Sequence, residues 1–428
     1  MSLTESRPPR RGRHFPTGNV GRYYLFSFLF GAAVNALVSI LVLFWLDRGL
    51  SLGQIMIFMS TYGISLLIFE IPTGVLADRH SRKWSLAVGA FLQVVVGVII
   101  LSTTYFPALL GAYVLVGVAV AFLSGAGEAL IYDSLKQEGR EPEVQRVFGA
   151  GLSAFHIGGV AGAVTAGLLV ARFDLSSAVW AYNALFLAAA AVALCFDEPA
   201  ILNHKREGPR AASFRSHLTG LLADSLSSFG IITQSRPVKA LIAVGVTVGI
   251  VSGLAQIPFS QPYLTGFGLR PEQIAYVWAA FSAAAAVVAA LSNRLSRLLN
   301  GDERRFILIV VALMVAGLVA MVSAPVAAVA IASLILMFIV ASGLVPPFLN
   351  AGVNRRIPSE HRASVLSIWS MAFGLVSFFA APLFGFLADG YSLDISLQVF
   401  QWIFIPLLVL IALVAWRTLA VGIQPTAD

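Results

Sequence analysis

The chain has 428 residues, 58% of them apolar and 11% charged, with a formal net charge of +7 and a mean hydropathy of +0.86. Soluble globular chains are nearer half apolar and a quarter charged, so too little polar surface remains here to cover a soluble particle. A lipid-facing exterior resolves the conflict, and the lone Cys195 excludes an internal disulfide.

The first 21 residues are rich in Arg and Pro (Arg7, Pro8, Pro9, Arg10, Arg11, Arg13). They lack the apolar core and small-residue cleavage site of a signal peptide and read as a disordered basic tail, 1–21. Apolar runs long enough to cross about 30 Å of hydrocarbon follow near 22–46, 54–77, 84–103, 107–131, 146–171 and 176–196, within a first unit, 22–197. A polar linker occupies 198–237. It opens on Asp197, Glu198 and Pro199, then His204 to Arg210, a charged stretch expected to be loose, and continues over Ser213 to Gln234 in a pattern suited to a helix lying on the membrane surface. The apolar pattern resumes near 238–264, 272–293, 305–323, 326–350, 362–387 and 393–416, within a second unit, 238–417, before a short tail, 418–428. The expected fold is an all-α membrane protein of twelve transmembrane helices in two pseudo-symmetric six-helix bundles.

The loops alternate in charge. All of the 28 Lys and Arg residues except Arg48, Arg172 and Arg270 fall on the side of the N-terminus. Short loops retained in the cytoplasm carry this excess, so both termini are placed inside a cytoplasmic (inner) membrane. The basic pI near 9.7 follows from that topology. Nucleic-acid binding is not expected, because the charge is spread over many loops instead of one face.

The two units resemble each other at an offset of about 218 residues. Gly49-Leu50-Ser51-Leu52-Gly53-Gln54-Ile55 returns as Gly268-Leu269-Arg270-Pro271-Glu272-Gln273-Ile274, Ser124-Gly125 as Ser342-Gly343, and Gly167-Leu168-Leu169 as Gly385-Phe386-Leu387. Repeats of this kind mark transporters whose substrate site lies where the two repeats meet.

Between the second and third spans stands Gly74-Val75-Leu76-Ala77-Asp78-Arg79-His80-Ser81-Arg82-Lys83. It resembles the signature loop of the Major Facilitator Superfamily, G-x-L-A-D-R-x-G-R-K, with Ser81 in place of the second glycine. The resemblance implies the fold of that family, extends over essentially the whole chain, and implies a cytoplasmic gate formed by Gly74, Asp78, Arg79, Arg82 and Lys83 with Asp133 at the end of the fourth span. Such a network biases a conformational equilibrium instead of touching substrate. The fifth span is similar to the antiporter motif G-x8-G-x3-G-P-x2-G-G, present as Gly149, Gly158, Gly162, Ala163, Ala166 and Gly167 with its proline and one glycine replaced by alanine. Ala121 stands where drug/proton antiporters of the family carry an arginine.

An ionisable side chain inside a span costs about 2.5–3.5 kcal/mol on insertion scales and usually has a job. Glu128, among the small residues of Ser124-Gly125-Ala126-Gly127, is the leading proton carrier; a structural pair with a nearby base is the alternative. Glu70, two residues before Pro72, serves either proton coupling or a helix-end contact. His156 falls near mid-membrane and titrates in a useful range, although a lone histidine is often a neutral hydrogen-bonded group. The resemblance puts the first, fourth, seventh and tenth spans around the cavity, where Asn35, Gln256 and Gln261 could bind polar parts of a substrate. Gly245, Gly249 and Gly253 read as a packing face, and Trp369 and Phe373 as packing. None of the four lysines follows a glycine, so the Gly-Lys-Ser/Thr of a nucleotide-binding loop is absent. No metal, cofactor or enzymatic chemistry is expected.

The expectation is a monomeric, antiporter-like secondary carrier in the lipid bilayer, moving a small hydrophobic or amphipathic molecule outward against protons. Metabolite uptake, lipid or lysolipid flipping and a non-transporting sensor are the alternatives.

Overall fold

The computed structural model describes residues 18–199, 235–298, 302–357 and 362–420. The basic tail before residue 18, most of the linker with its expected surface helix, and the end of the C-terminal tail lie outside the described residues. Within them every regular element is a helix: α1 (Asn19–Val38), α2 (Leu41–Asp47), α3 (Leu52–Arg79), α4 (Arg82–Ser102), α5 (Phe106–Leu123), α6 (Ala126–Gln137), α7 (Val144–Arg172) and α8 (Ser176–Leu194), then α9 (Arg236–Leu254), α10 (Ser260–Gly266), α11 (Pro271–Leu298), α12 (Glu303–Val322), α13 (Ala327–Phe338), α14 (Val345–Asn354), α15 (Arg362–Gly390) and α16 (Leu393–Ala420). Eleven helical runs among the described residues are long and apolar enough to cross a membrane. Helix α11 is not among those eleven.

The predicted first, fourth, seventh and tenth spans are not straight α-helices. Helices α1 and α2 part at Ser39–Ile40, where Ile40 leaves helical geometry. Helices α5 and α6 part at Ser124–Gly125, Gly125 taking the left-handed φ of 69° that a residue with a Cβ avoids. Ala255–Phe259 forms a π-helical turn between α9 and α10, and Ile339–Leu344 another between α13 and α14. Proline accounts for both: Pro258 has no N–H to donate, and Pro346-Pro347 follows the second turn.

The repeat is visible in the backbone. Gly49 and Gly268 both have φ of 81°. After each, a glutamine three residues into the next helix turns back to cap it: Gln54 Oε1 accepts from Ser51 N at 3.0 Å, and Gln273 Oε1 from Arg270 N at 2.9 Å. At the opposite end Ser81 caps α4 and Asp302 caps α12. The residue after each cap, Arg82 or Glu303, is an ion-pair partner for the end of the broken span that follows: Arg82 with Asp133, Glu303 with Arg355 and Arg356. The two ion pairs occupy matching places with reversed polarity.

Helices α1 to α8 pack mainly on one another, most closely where α1 crosses α7, and α9 to α16 form a second set around α9, α12 and α16. Small residues make the α1–α7 crossing possible. A Cβ at Gly158 would lie 2.0 Å from Phe28 O, one at Gly162 2.0 Å from Ala32 O, and one at Gly31 2.0 Å from Phe155 O. Of the motif glycines in α7, Gly167 instead meets Tyr276 of α11, and Gly149 has open space. Gly249 and Gly253 face Phe373 of α15, as a packing face should; the side chain of Trp369 lies outside the described part.

The two sets meet through α3 with α15 and α7 with α11, and their polar contacts gather toward the end marked by Gly49 and Gly268. Asp389, at the end of α15, accepts from Leu52 N and Gly53 N at the start of α3, both at 2.8 Å. Beside it a Cβ on Gly385 would strike Met56 Cγ at 2.7 Å and Gly53 Cα at 2.8 Å. Ser60 donates to Phe378 O at 3.0 Å, and Trp278 Nε1 to Asn35 Oδ1 at 2.9 Å.

Candidate functional site

Two cavities lie along the inner faces of these helices. The first, about 390 Å³, is bounded by α1, α3, α4, α5, α7 and α8 on one side and by Ile257, Trp278, Ser282 and Phe338 of the second set on the other. Its wall is mostly apolar, with Asn35, Gln93, Tyr182 and His156 among its polar groups. The second, about 410 Å³, lies toward the Arg82 end, between α1, α4, α6 and α7, and contains Glu128.

Asn35 sits where three helices meet. Its Nδ2 donates to Gly31 O in its own helix, and its Oδ1 accepts from Trp278 and, at 3.4 Å, from Ser282 Oγ. It therefore edges the first cavity and also ties the two sets together. His156 lines the same cavity, partly buried, its ring edge-on to Phe155.

The two glutamines differ from expectation. Gln256 is buried and bonds within its own helix: its side chain donates to Ser252, and its carbonyl accepts from Ser260. Gln261 is fully buried and repairs the break in the first span. Its Oε1 accepts from Val42 N at 2.8 Å and Leu43 N at 3.1 Å, and its Nε2 donates to Val38 O at 2.8 Å. A helix that stops and restarts leaves backbone N–H and C=O groups without partners, and in an apolar setting each must be satisfied. Gln261 satisfies three at once from the other set of helices. Neither glutamine lines the 390 Å³ cavity.

Glu128 is not in mid-helix. The break at Ser124–Gly125 places it in the first turn of α6, exposed to the second cavity. It forms no ion pair among the described residues. Glu70 is exposed on α3, lines neither cavity and also lacks an ion pair among the described residues.

Of the signature loop, Arg82 is buried and its Nη1 lies 2.6 Å from both Ala129 O and Asp133 Oδ2, with Asp133 equally buried. This pair joins α4 to α6 inside the first set of helices, in a conformation whose inter-set contacts lie toward the far end. The side chains of Asp78 and Arg79 lie outside the described part. Gly74 is exposed, and a Cβ there would meet nothing within 4 Å. Ser81, the departure from the family pattern, both caps α4 at Trp84 N and donates to Glu198, which also accepts from Lys83 N at 3.1 Å. The start of the linker is therefore not loose. Asp197 pairs with Arg22 at 2.5 Å, its N–H donates to Asn19 Oδ1, and Asn19 Nδ2 donates to Asp197 O and Ser134 Oγ. Asn19 and Arg22 at the start of α1 and the Ser81 cap of α4 hold this acidic pair, with Ser134 of α6 behind Asn19.

Sequence reasoning missed three residues. Asp389 could have been found, because Gly385-Phe386-Leu387-Ala388-Asp389 repeats the G-x-L-A-D of Gly74–Asp78. Gln93 and Tyr182, hydrogen-bonded at 2.7 Å, line the cavity from α4 and α8, helices from which no cavity residue was expected, and nothing local marks them.

The sequence profile described as Major Facilitator Superfamily matches residues 23–366 and 257–426. An uncharacterized transporter of Buchnera aphidicola subsp. Schizaphis graminum is 28% identical over 119 residues, 28% of this chain and 29% of that one. A second, from Buchnera aphidicola subsp. Acyrthosiphon pisum, is 29% identical over 147 residues, 33% of this chain and 34% of the other. The chain thus spans about a third of the length of the curated relatives it matches. Among solved structures, a mutant of the nucleoside transporter NupG superposes with a TM-score of 0.77 at 14% identity, covering 94% of this chain and 100% of that one. A D-xylose-proton symporter gives 0.71 at 15% identity, covering 93% and 97%; at such identities the likeness speaks for the fold alone. The profile runs over nearly the whole chain, and the helical architecture agrees with it: the chain belongs to the Major Facilitator Superfamily, a class of membrane transporters and not of enzymes.

Proposed function

We propose that the protein is a secondary transporter of twelve spans in two six-helix bundles, 22–197 and 238–417, joined by the linker 198–237. It acts as a monomer in the cytoplasmic membrane with both termini inside. It carries a small hydrophobic or amphipathic solute outward by alternating access, in exchange for protons. The observation that carries this reading is the 390 Å³ cavity, mostly apolar and walled by residues of both sets of helices. Its wall suits an apolar body, and the few fixed polar groups suit orientation of one.

The positive-inside bias makes the Arg82–Glu303 end cytoplasmic. The Asp389, Gln261 and Asn35 contacts then lie between mid-membrane and the outer face, which makes this conformation inward-facing. Glu128 and His156 are the proton-path residues of this reading, with Asn35 at the solute. Gly74, Asp78, Arg79, Arg82, Lys83 and Asp133 form the cytoplasmic gate. Because the Arg82–Asp133 pair is already made with the outer side closed, that pair acts as a hinge within one bundle, and the residues that part on opening lie elsewhere in the gate. Uptake of a more polar metabolite is the second reading, favoured by the Gln93–Tyr182 and Asn35–Trp278 hydrogen bonds at the cavity wall.

The test is flux of a compound panel in proteoliposomes under an imposed pH gradient, wild type beside Glu128→Gln. Gradient-driven flux of amphipathic compounds, lost in the variant, is expected. Equal response of both proteins removes Glu128 from the proton path, and flux of polar metabolites alone selects the second reading.

A further inference from the structure

The second cavity has a chemistry that transport alone does not require. Its one carboxylate, Glu128, shares the lining with the rings of Tyr23, Phe26, Phe30, Phe148 and Phe155. The rings are organised: Phe26 and Phe30 stack with centroids 6.3 Å apart, Phe30 lies 5.7 Å from Phe155, and Tyr23 6.5 Å from Phe148. Gly127 and Gly151 leave space for Tyr23 beside Glu128: a Cβ at Gly151 would collide with its ring at 2.3 Å, and one at Gly127 would touch it at 3.8 Å. No Lys or Arg lines the cavity among the described residues, and Glu128 has no ion-pair partner among them.

A carboxylate left without a counter-charge in an aromatic pocket repels anions and gains nothing specific from a neutral body. A cation meets the carboxylate directly and the negative faces of the rings around it. We propose that this cavity is a binding site for organic cations, an ammonium or similar charged group carried on an apolar body, with Glu128 as the counter-ion and the rings of α1 and α7 as the cage. The inference rests on the transporter reading for its place in the cycle, naming the substrate class of that reading, but the binding itself can be measured without transport.

The experiment uses the purified full-length protein in detergent at one fixed pH. Equilibrium dialysis measures tetraphenylphosphonium against tetraphenylborate, which share shape and differ in charge sign, together with two smaller quaternary ammonium ions. Wild type should bind at least one cation more tightly than the borate, Glu128→Gln should weaken that cation about tenfold or more, and the borate should be unaffected or improved. Phe30→Leu, which keeps apolar bulk and removes a ring, should weaken the cation severalfold and leave the borate alone. Thermal melting of each variant in the same detergent identifies loss of fold; a variant that melts early is replaced by Glu128→Asp, which should retain cation preference. Cation binding equal in wild type and folded Glu128→Gln overturns the proposal, as does wild type binding no cation better than the borate. Charge-selective binding without proteoliposome flux would uphold this site while refuting the transport reading; flux of neutral compounds without charge-selective binding would do the reverse.

Discussion

Replacing Asp389 by Asn tests whether the outer seam is held by a removable polar clamp. At the start of α3 the N–H groups that the helix cannot pair internally are each accounted for. Gln54 Oε1 takes Ser51 N, Ser51 Oγ takes Gln54 N, and the two carboxylate oxygens of Asp389 take Leu52 N and Gly53 N at 2.8 Å each. Hydrogen bonds to a charged acceptor contribute about 1.5–3 kcal/mol when buried, and a negative charge at a helix N-terminus about 0.3–1 kcal/mol. Asp389 is exposed, so screening reduces the whole clamp to about 2 kcal/mol. Asparagine keeps the shape and one acceptor but loses the second acceptor and the charge, for a net loss of about 1.4 kcal/mol. In the proposed cycle the clamp exists only while the outer side is closed, so that loss should move the conformational equilibrium about tenfold toward outward-open.

The assay is labelling from outside by a membrane-impermeant maleimide. Cys195, the single native thiol, is exposed and is replaced by Ser. A reporter Met59→Cys then sits on the wall of the 390 Å³ cavity. In a slow-reagent regime the labelling rate follows the outward-open population, so Asp389→Asn should speed it about tenfold. An unchanged or slower rate would refute the clamp.

Four further outcomes are expected. Gly385→Ala, whose methyl enters 2.7 Å from Met56 Cγ and 2.8 Å from Gly53 Cα, should wedge the same seam and raise the same labelling rate at least as much. Gly158→Ala puts a methyl 2.0 Å from the backbone oxygen of Phe28, which cannot yield without separating α1 from α7. It should cost about 3 kcal/mol or more, read as a fall in melting temperature, with Gly149→Ala as a silent control because nothing lies within 4 Å of it. Gln261→Leu strips Val38 O, Val42 N and Leu43 N of their partners and should destabilise the outward-closed form by about 2 kcal/mol or more, seen as lower stability together with faster external labelling. Asp133→Asn leaves the buried Arg82 without its carboxylate, with Ala129 O still beside it, and should cost about 3 kcal/mol. The charge-reversed double variant Arg82→Glu/Asp133→Arg should recover much of that melting temperature, since Glu303 with Arg356 already runs in that polarity at the matching place.

The helices were legible because hydrocarbon leaves the backbone few choices and a run of about 20 apolar residues records that constraint directly. The Gly49 and Gly268 turns were legible for a similar reason: a left-handed φ of 81° selects glycine, so the repeat survives in the letters. The breaks were harder. Pro258 stands at one of them, but the α1–α2 break at Ser39–Ile40 carries no proline or glycine, because its stabilising group, Gln261, lies 219 residues from Val42. Glu128 was found as a chemical group, but the turn at Gly125, which makes its carboxylate open a new helix into a cavity, was not. Asp197 and Glu198 looked like a solvated charge run. Their binding to Asn19, Arg22 and Ser81 depends on helix ends brought together only by the fold.

The Gln261 contact connects fold to cycle. Broken helices persist in a membrane only where the freed backbone groups find partners in protein or water. Here a side chain from the other set of helices supplies the partners, so Val38 O, Val42 N and Leu43 N are satisfied only while α2 and α10 remain in contact. In the proposed cycle, when the outer side opens, those three groups and the amide of Gln261 itself must be met by something else, and in an apolar wall only water can do it. Opening and hydration of the outer vestibule are therefore one event, not two. The carrier cannot part at this seam while it is dry, which opposes partial opening and gives the outer gate a two-state character from a single buried amide.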